Sequence, residues 1–131
     1  MKIEELITIL KKQNFPKNEY AVFGSAVLAI RGIREAPNID VIVTNKLWTQ
    51  LLEKSYAPDE EGFIRISQIK LSNWWFAPTR KDIPTLIKEA EIINGIPFVK
   101  LAEVRDYKSL LKRDKDKMDV KLIDKFLQNA K

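Results

Sequence analysis

The fold is set by residues 20–43, which read YAVFGSAVLAIRGIREAPNIDVIV. The segment begins with the apolar run Tyr20–Phe23, which predicts a short buried strand. Gly24-Ser25 ends that strand, and the apolar residues that follow predict a buried helix reaching Gly32. The β-branched run Ile39–Val43 then predicts a central strand with one embedded acid. The segment is therefore expected to fold as strand, turn, helix and strand.

Helices and short strands alternate on both sides of this segment. Apolar residues at helical spacing predict amphipathic helices at residues 3–10 and 46–54. Residues 63–67 and 68–71 predict two further strands or one bent strand. This alternation is typical of an α/β or α+β fold, in which a small mixed sheet is flanked by helices.

The last third of the chain predicts one more strand among helices. Residues 83–93 predict an amphipathic helix closed by Asn94-Gly95. Residues 96–99 predict a short strand, which Pro97 should confine to a sheet edge. A C-terminal helical pair is predicted at residues 101–111 and 115–128. With 131 residues, the chain suits one domain, with residues 1–100 as its core and residues 101–131 as the C-terminal helices.

The composition excludes several kinds of chemistry. The chain has no cysteine and no histidine, so thiol nucleophiles, disulfides, the usual zinc sites and imidazole-based triads are excluded. Its net charge of +5 is a mild excess. The longest run without charge, Tyr20–Ile30, is too short to span a bilayer, and Glu4 and Glu5 stand where a signal peptide needs apolar residues. We expect a soluble cytoplasmic protein that does not contact a membrane.

An ordered set of motifs resembles the nucleotidyltransferase superfamily, in which a Gly-Ser turn is followed, after a helix, by an Asp-x-Asp strand. It is most similar to small bacterial and archaeal predicted nucleotidyltransferases, whose motifs extend over almost the whole chain. The matching stretches are Phe23-Gly24-Ser25-Ala26, Leu28–Glu35, Ile39–Thr44, Gly95–Leu101, Lys108, Arg113-Asp114-Lys115-Asp116 and Asp119-Val120.

The resemblance implies a nucleoside triphosphate as ligand and gives each motif a role. Gly24 and Ser25 would hold phosphates, because a glycine lets a phosphate approach the backbone and a helix start offers N–H donors. Asp40 would be a metal-binding and catalytic carboxylate, since paired acids on a strand share the Mg²⁺ ions that bind a triphosphate.

Three cations are candidates for contacts with the nucleotide. Arg31 and Arg34 offer bidentate donors to phosphate, although they also suit cations that complement a helix C-terminus. Lys108 would approach the nucleotide from the terminal helices. The nearby acids Asp116 and Asp119 are better explained as charge placement near the start of a helix.

The sequence departs from the family pattern at two of three acids. Asn38 stands where the family has the first acid of its pair, and Lys70 stands where it has the third. Only Asp40 remains, and Lys70 opposes its charge. Because an ammonium repels a cation and an asparagine brings no charge, two Mg²⁺ ions are not expected to bind here.

Three functional hypotheses follow. The first is a nucleotidyltransferase-like protein with weak or lost transfer activity, in which the Lys70 ammonium pairs with a triphosphate in place of a metal. The second is a non-catalytic interaction module that binds a protein, as in a toxin–antitoxin-like pair, or RNA through the aromatic and basic residues 73–81. The third is an active metal-dependent transferase that recruits other acids, such as Asp59, Glu60 or Asp82.

Overall fold

The computed structural model describes residues 2–74 and 81–130. It is an α+β fold, as the sequence predicts, built on a mixed open sheet whose six strands follow the order β3-β4-β2-β1-β6-β5. The strands are β1 (Tyr20–Phe23), β2 (Ile39–Val43), β3 (Ile64–Ile66), β4 (Ile69–Ser72), β5 (Glu91–Ile93) and β6 (Ile96–Phe98). Strand β2 runs antiparallel to β1 and parallel to β4.

Helices pack against the sheet and form the predicted C-terminal pair. In the described part of the chain they are α1 (Ile3–Lys11), α2 (Ser25–Ala29), α3 (Asn45–Glu53), α4 (Ile83–Lys88), α5 (Leu101–Leu111) and α6 (Asp114–Asn129). A 3-10 turn at Lys17–Glu19 precedes β1. Among the described residues, no helix is both long enough and apolar enough to cross a membrane.

The core lies on both faces of the central strands. All four residues of β1 are buried, as are four of the five residues of β2, so helices cover both faces of the sheet there. The C-terminal pair belongs to the same core, because Val104 of α5 and Ile123 of α6 are fully buried within it. The pair is therefore packed into the fold.

The helix after the Gly-Ser turn is short and is closed where the sequence predicts. Its regular part spans five residues, Ser25–Ala29. Gly32, with a φ of +72°, then closes it: the N–H of Ile33 donates to the carbonyl of Leu28, and that of Gly32 to the carbonyl of Ala29. Because a helix this short carries little dipole, its start contributes less to anion binding than the sequence suggests.

The prediction of a helix over residues 83–93 is wrong for the second half of that range. Helix α4 ends at Lys88, and residues 91–93 form β5, which pairs with β6. Asn94 and Gly95, with φ values of 53° and 79°, form the hairpin turn between the two strands. The Asn-Gly pair is a strong hairpin signal that outweighs the helical spacing before it.

The edge position predicted for the strand at Pro97 is also wrong, because β6 lies between β1 and β5. Pro97 stands opposite Ile92 of β5. Pairing with β1 is confined to Phe98 and Val22, after which the N–H of Val99 donates to the carbonyl of Val22. A proline is tolerated here because the ladder with β1 begins only beyond it.

Candidate functional site

A cleft opens where β1 ends, between β2, the β3–β4 region and the end of α5. Its walls carry the aromatic residues Phe23, Phe63, Trp74 and Tyr107, and its charged residues are Asp40, Lys70, Lys108 and Arg113. Gly24, Val41, Ile42, Ser72 and Leu111 complete the lining. The structure thus brings together four residues that the sequence analysis assigned to one site: Gly24, Asp40, Lys70 and Lys108. Ser25, the other predicted phosphate contact, is not among the described residues that line the cleft.

Gly24 sits directly beside the carboxyl group of Asp40. Its φ of +70° lies in the left-handed region, and a Cβ at this position would be 2.9 Å from Asp40 Oδ2. A glycine is therefore required by the backbone conformation and by the closeness of the acid. The close approach seen at Gly24 is to a side chain of the protein itself.

Asp40 is a half-buried carboxyl in the middle of the sheet. Its neighbours across the strands are Phe23 on β1 and Lys70 on β4. Burial raises the pKa of Asp40 above its usual value, although the positive charges of Lys70, Lys108, Lys115 and Arg65 partly oppose the rise. Asp40 therefore holds its proton more readily than an exposed aspartate.

Lys70 on β4 is the register partner of Asp40 on β2, so a cationic side chain stands next to the acid. Its Nζ lies over the ring of Phe63, 4.0 Å from the ring centroid, in a cation–π contact. Asn38 shares a second, shallow depression with Lys70 and Arg65. Among the described residues, those that line the cleft do not include Asn38.

The donors in the cleft do not suit a pair of Mg²⁺ ions. Asp40 is the only acid among the described residues that line it, while three cations line it too. The described residues contain no group of three acids placed to hold a metal ion. Because Mg²⁺ needs carboxylate oxygens and is repelled by neighbouring ammonium groups, the residues present do not fit the metal centre that the resemblance implies.

Lys108 is held at the cleft by buried acids of α6. Its Nζ lies 2.9 Å from Asp119 Oδ2 and 3.7 Å from Asp116 Oδ1. Arg113 pairs with Asp116 at 2.5 Å. Because Lys108, Asp116 and Asp119 are all buried, the ion pairs of Lys108 lie in a low-dielectric environment, whereas the Arg113 side chain is 54% exposed.

Ser25 and Arg34 join the same group of charges. Arg34 donates from Nε and Nη2 to the two carboxylate oxygens of Asp119, at 2.7 and 2.8 Å. Nη2 also donates to Ser25 Oγ at 2.9 Å. Asp119, explained from the sequence as simple charge placement, thus connects Ser25 to Lys108 through Arg34. The residue types alone carried no signal of this connection, because Arg34 and Asp119 are 85 positions apart.

Arg31 lies apart from this group. Its guanidinium donates to the carbonyl of Val27 and to Glu91 Oε1 at 3.0 and 2.9 Å. Glu91 belongs to β5, at the far edge of the sheet. The structure therefore joins Arg31 to the hairpin and not to the cleft.

Of the other acids considered from the sequence, two have structural partners and the third is exposed. Asp59 accepts from Arg65 Nε at 2.6 Å and from the backbone N–H of Phe63. Asp82 caps α4 by accepting from the N–H of Thr85. Glu60 is exposed. Within the described chain none of these three acids lines the cleft.

The aromatic and basic segment proposed for RNA binding lies largely outside the described residues, which stop at 74 and resume at 81. Trp74 is the described member that lines the cleft. Its Nε1 donates to the carbonyl of Gly62, and its ring lies 5.0 Å from that of Phe63. The two rings form one aromatic wall beside Lys70.

Comparisons with protein-family models, with curated proteins and with solved structures found no match for this chain. The class that the structure defines is an α+β protein with a six-stranded mixed sheet and a charged, aromatic-walled cleft.

Proposed function

We propose that the cleft binds a nucleotide through its phosphates without a bound metal ion, and that any nucleotidyl transfer is weak or lost. The observation that carries the proposal is the pairing register that sets Lys70 beside Asp40. A tethered ammonium at this position supplies the positive charge that a metal ion would otherwise bring to a triphosphate.

The lining supports this ligand class in two ways. Lys70, Lys108 and Arg113 line the cleft with one carboxyl, that of Asp40. When Arg34 and the two acids of α6 behind the cleft are included, the ionised side chains of the whole group keep one excess positive charge. The aromatic walls suit a flat heterocyclic base, which stacks on aromatic rings with little dependence on its identity. A ligand with a flat apolar body and an anionic tail matches both features. The proposal places the protein in the cytoplasm, where nucleoside triphosphates are available.

Calorimetric titration with ATP, GTP and CTP, in EDTA and in Mg²⁺, tests the proposal. We expect binding in EDTA, and a loss of about tenfold or more in affinity for Lys70→Gln, because a charge-assisted contact is removed. Lys125→Gln is the matched control, since Lys125 is an exposed lysine on α6. It should change affinity by less than about twofold.

Two results would contradict this proposal. One is a lack of heat with all three nucleotides. The other is binding that requires Mg²⁺ and survives Lys70→Gln.

The loss of transfer activity has its own test. Asn38→Asp combined with Lys70→Glu restores the acids that the nucleotidyltransferase pattern contains. Incorporation of labelled nucleotide by the double variant, with none by the unaltered protein, is the expected result. Incorporation by the unaltered protein would show that its transfer activity is intact.

A further inference from the structure

The ion pairs behind the cleft fix Lys108, which lines the cleft, and Ser25, which follows Gly24 of its lining. Asp119 is 3% exposed, and its carboxylate is shared between Arg34 and Lys108. Burial opposes ionisation of Asp119, yet the hydrogen bonds from Arg34 and Lys108 hold the pKa of its carboxyl below the usual value. The carboxylate is therefore charged at neutral pH and holds both cations in place.

Lys108 lines the cleft, so an anion bound there would accept from its ammonium, which Asp119 and, at 3.7 Å, Asp116 hold from behind. An ammonium has three N–H donors, and Asp119 accepts from it at 2.9 Å. Because the stem of Lys108 is buried and its ammonium is tied to α6, the side chain loses little conformational freedom when an anion binds. Asp119 thus lowers the entropic cost of using Lys108 as a ligand contact.

The hydroxyl of Ser25 is oriented in a comparable way. A serine hydroxyl has one hydrogen to donate and two lone pairs that accept. Arg34 Nη2 already occupies one lone pair, so the hydroxyl hydrogen is left to point at another acceptor. Ser25 follows Gly24, which lines the cleft, so a phosphate oxygen bound there is an acceptor of the required chemistry.

We infer that Asp119 and Arg34 are positioning residues of the anion site, which orient Lys108 and Ser25 toward the phosphates without touching them. This inference rests on the proposed function. Arg34, expected from the sequence to contact phosphate directly, would instead hold its neighbours in place. The donors of its guanidinium are directed at Asp119, Ser25 and the carbonyl of Glu35.

The chain contains a matched control for this arrangement. Arg105 and Asp124 form another bidentate pair, with distances of 2.5 and 3.0 Å, that joins α5 to α6 as the Lys108–Asp119 pair does. Neither residue lines the cleft. Removing this pair loosens the same two helices without disturbing Lys108 or Ser25.

The test is a titration of the full chain with ATP in EDTA. We expect Asp119→Asn to weaken affinity by about tenfold or more, because it removes the carboxylate that orients Lys108. Asp124→Asn should change affinity by less than about twofold. If Asp119→Asn fails to fold, Arg34→Gln, with Arg105→Gln as its control, gives the same comparison.

A double-mutant cycle separates positioning from general structural support. If Asp119 acts through Lys108, Asp119→Asn should add little loss of affinity in a Lys108→Gln background. Additive losses, or native affinity in folded Asp119→Asn or Arg34→Gln, would overturn the inference and leave the proposed function standing. A lack of binding by the unaltered protein would overturn both.

Discussion

At the scale of single residues, a side chain at Gly24 would meet two obstacles, a backbone with positive φ and the nearby carboxyl of Asp40. The φ of Gly24, +70°, is close to the +72° of Gly32, but only at Gly24 would a Cβ meet a neighbour, 2.9 Å away at Asp40. Gly32→Ala should therefore lower the free energy of unfolding by about 1–2 kcal/mol, the cost of a left-handed alanine. Gly24→Ala should cost more, because the Asp40 side chain must also move.

Urea unfolding of both variants gives the two values. In an Asp40→Ala background the cost at Gly24 should fall, since the atom that the Cβ meets is gone, and the part due to its backbone angles, φ 70° and ψ −141°, should remain. Equal costs at the two glycines in the unaltered background would show that the carboxyl of Asp40 gives way freely.

Asp40 should make the protein less stable as pH rises. Because burial raises its pKa in the folded state, the folded chain keeps the Asp40 proton at pH values where the unfolded chain has lost it. Stability therefore falls as pH rises from the ordinary aspartate pKa to the folded value, and the cost remains at higher pH. Asp40→Asn should abolish this fall and raise the melting temperature at pH 7.

Thermal unfolding between pH 3 and pH 8 measures the effect. Asp82 provides a control of opposite sign, because the hydrogen bond from Thr85 lowers its pKa. The stability that Asp82 contributes is present at neutral pH and is lost on acidification. An Asp40→Asn variant less stable than the unaltered protein at pH 7 would contradict the prediction.

At the scale of elements, local patterns predicted the central strands and the terminal helices well. Tyr20–Phe23 and Ile39–Val43 form strands at the predicted bounds, and α5 spans the predicted 101–111. The apolar runs are β-branched or aromatic and buried on both faces, so periodicity and burial favour the same structure. These elements could be predicted because no contact with a distant segment changes the structure that their local pattern favours.

The hairpin of β5 and β6 shows where local patterns fail. Apolar residues from Ile83 to Ile93 fit helical spacing, but residues 91–93 instead pair with 96–98. The strands form because Asn94-Gly95 makes a tight turn and because Phe98 is fully buried against β1. The turn was visible in the sequence, whereas the burial depends on strands far away in the chain.

In the cleft too, the sequence indicated some of the residues but not the contacts that support them. The resemblance supplied Gly24, Asp40, Lys70 and Lys108, and the structure brings all four together. The support of Lys108 by α6 could not be predicted, because burial of a carboxylate is a property of the assembled fold. From the sequence, an acid near a helix start has a sufficient explanation in the helix dipole.

At the scale of the whole molecule, buried charge joins the C-terminal helix to the sheet domain. Asp116 and Asp119 of α6 are buried, and their partners lie on α5, in the turn after it and beside α2. Ile123 adds apolar contact to the same core. The start of α6 is thus fixed by ion pairs and its middle by packing.

Removing one of the buried carboxylates should therefore destabilise the entire protein. Asp116 is fully buried beside Arg113, whose side chain is 54% exposed, and beside Lys108, which keeps Asp119 as a partner, so Asp116→Asn should cost about 1–3 kcal/mol of unfolding free energy. Asp124→Asn removes an ion pair that is exposed to solvent and should therefore cost much less. Urea unfolding followed by circular dichroism compares the two, and similar costs would mean that the buried group is no more important to stability than the exposed pair.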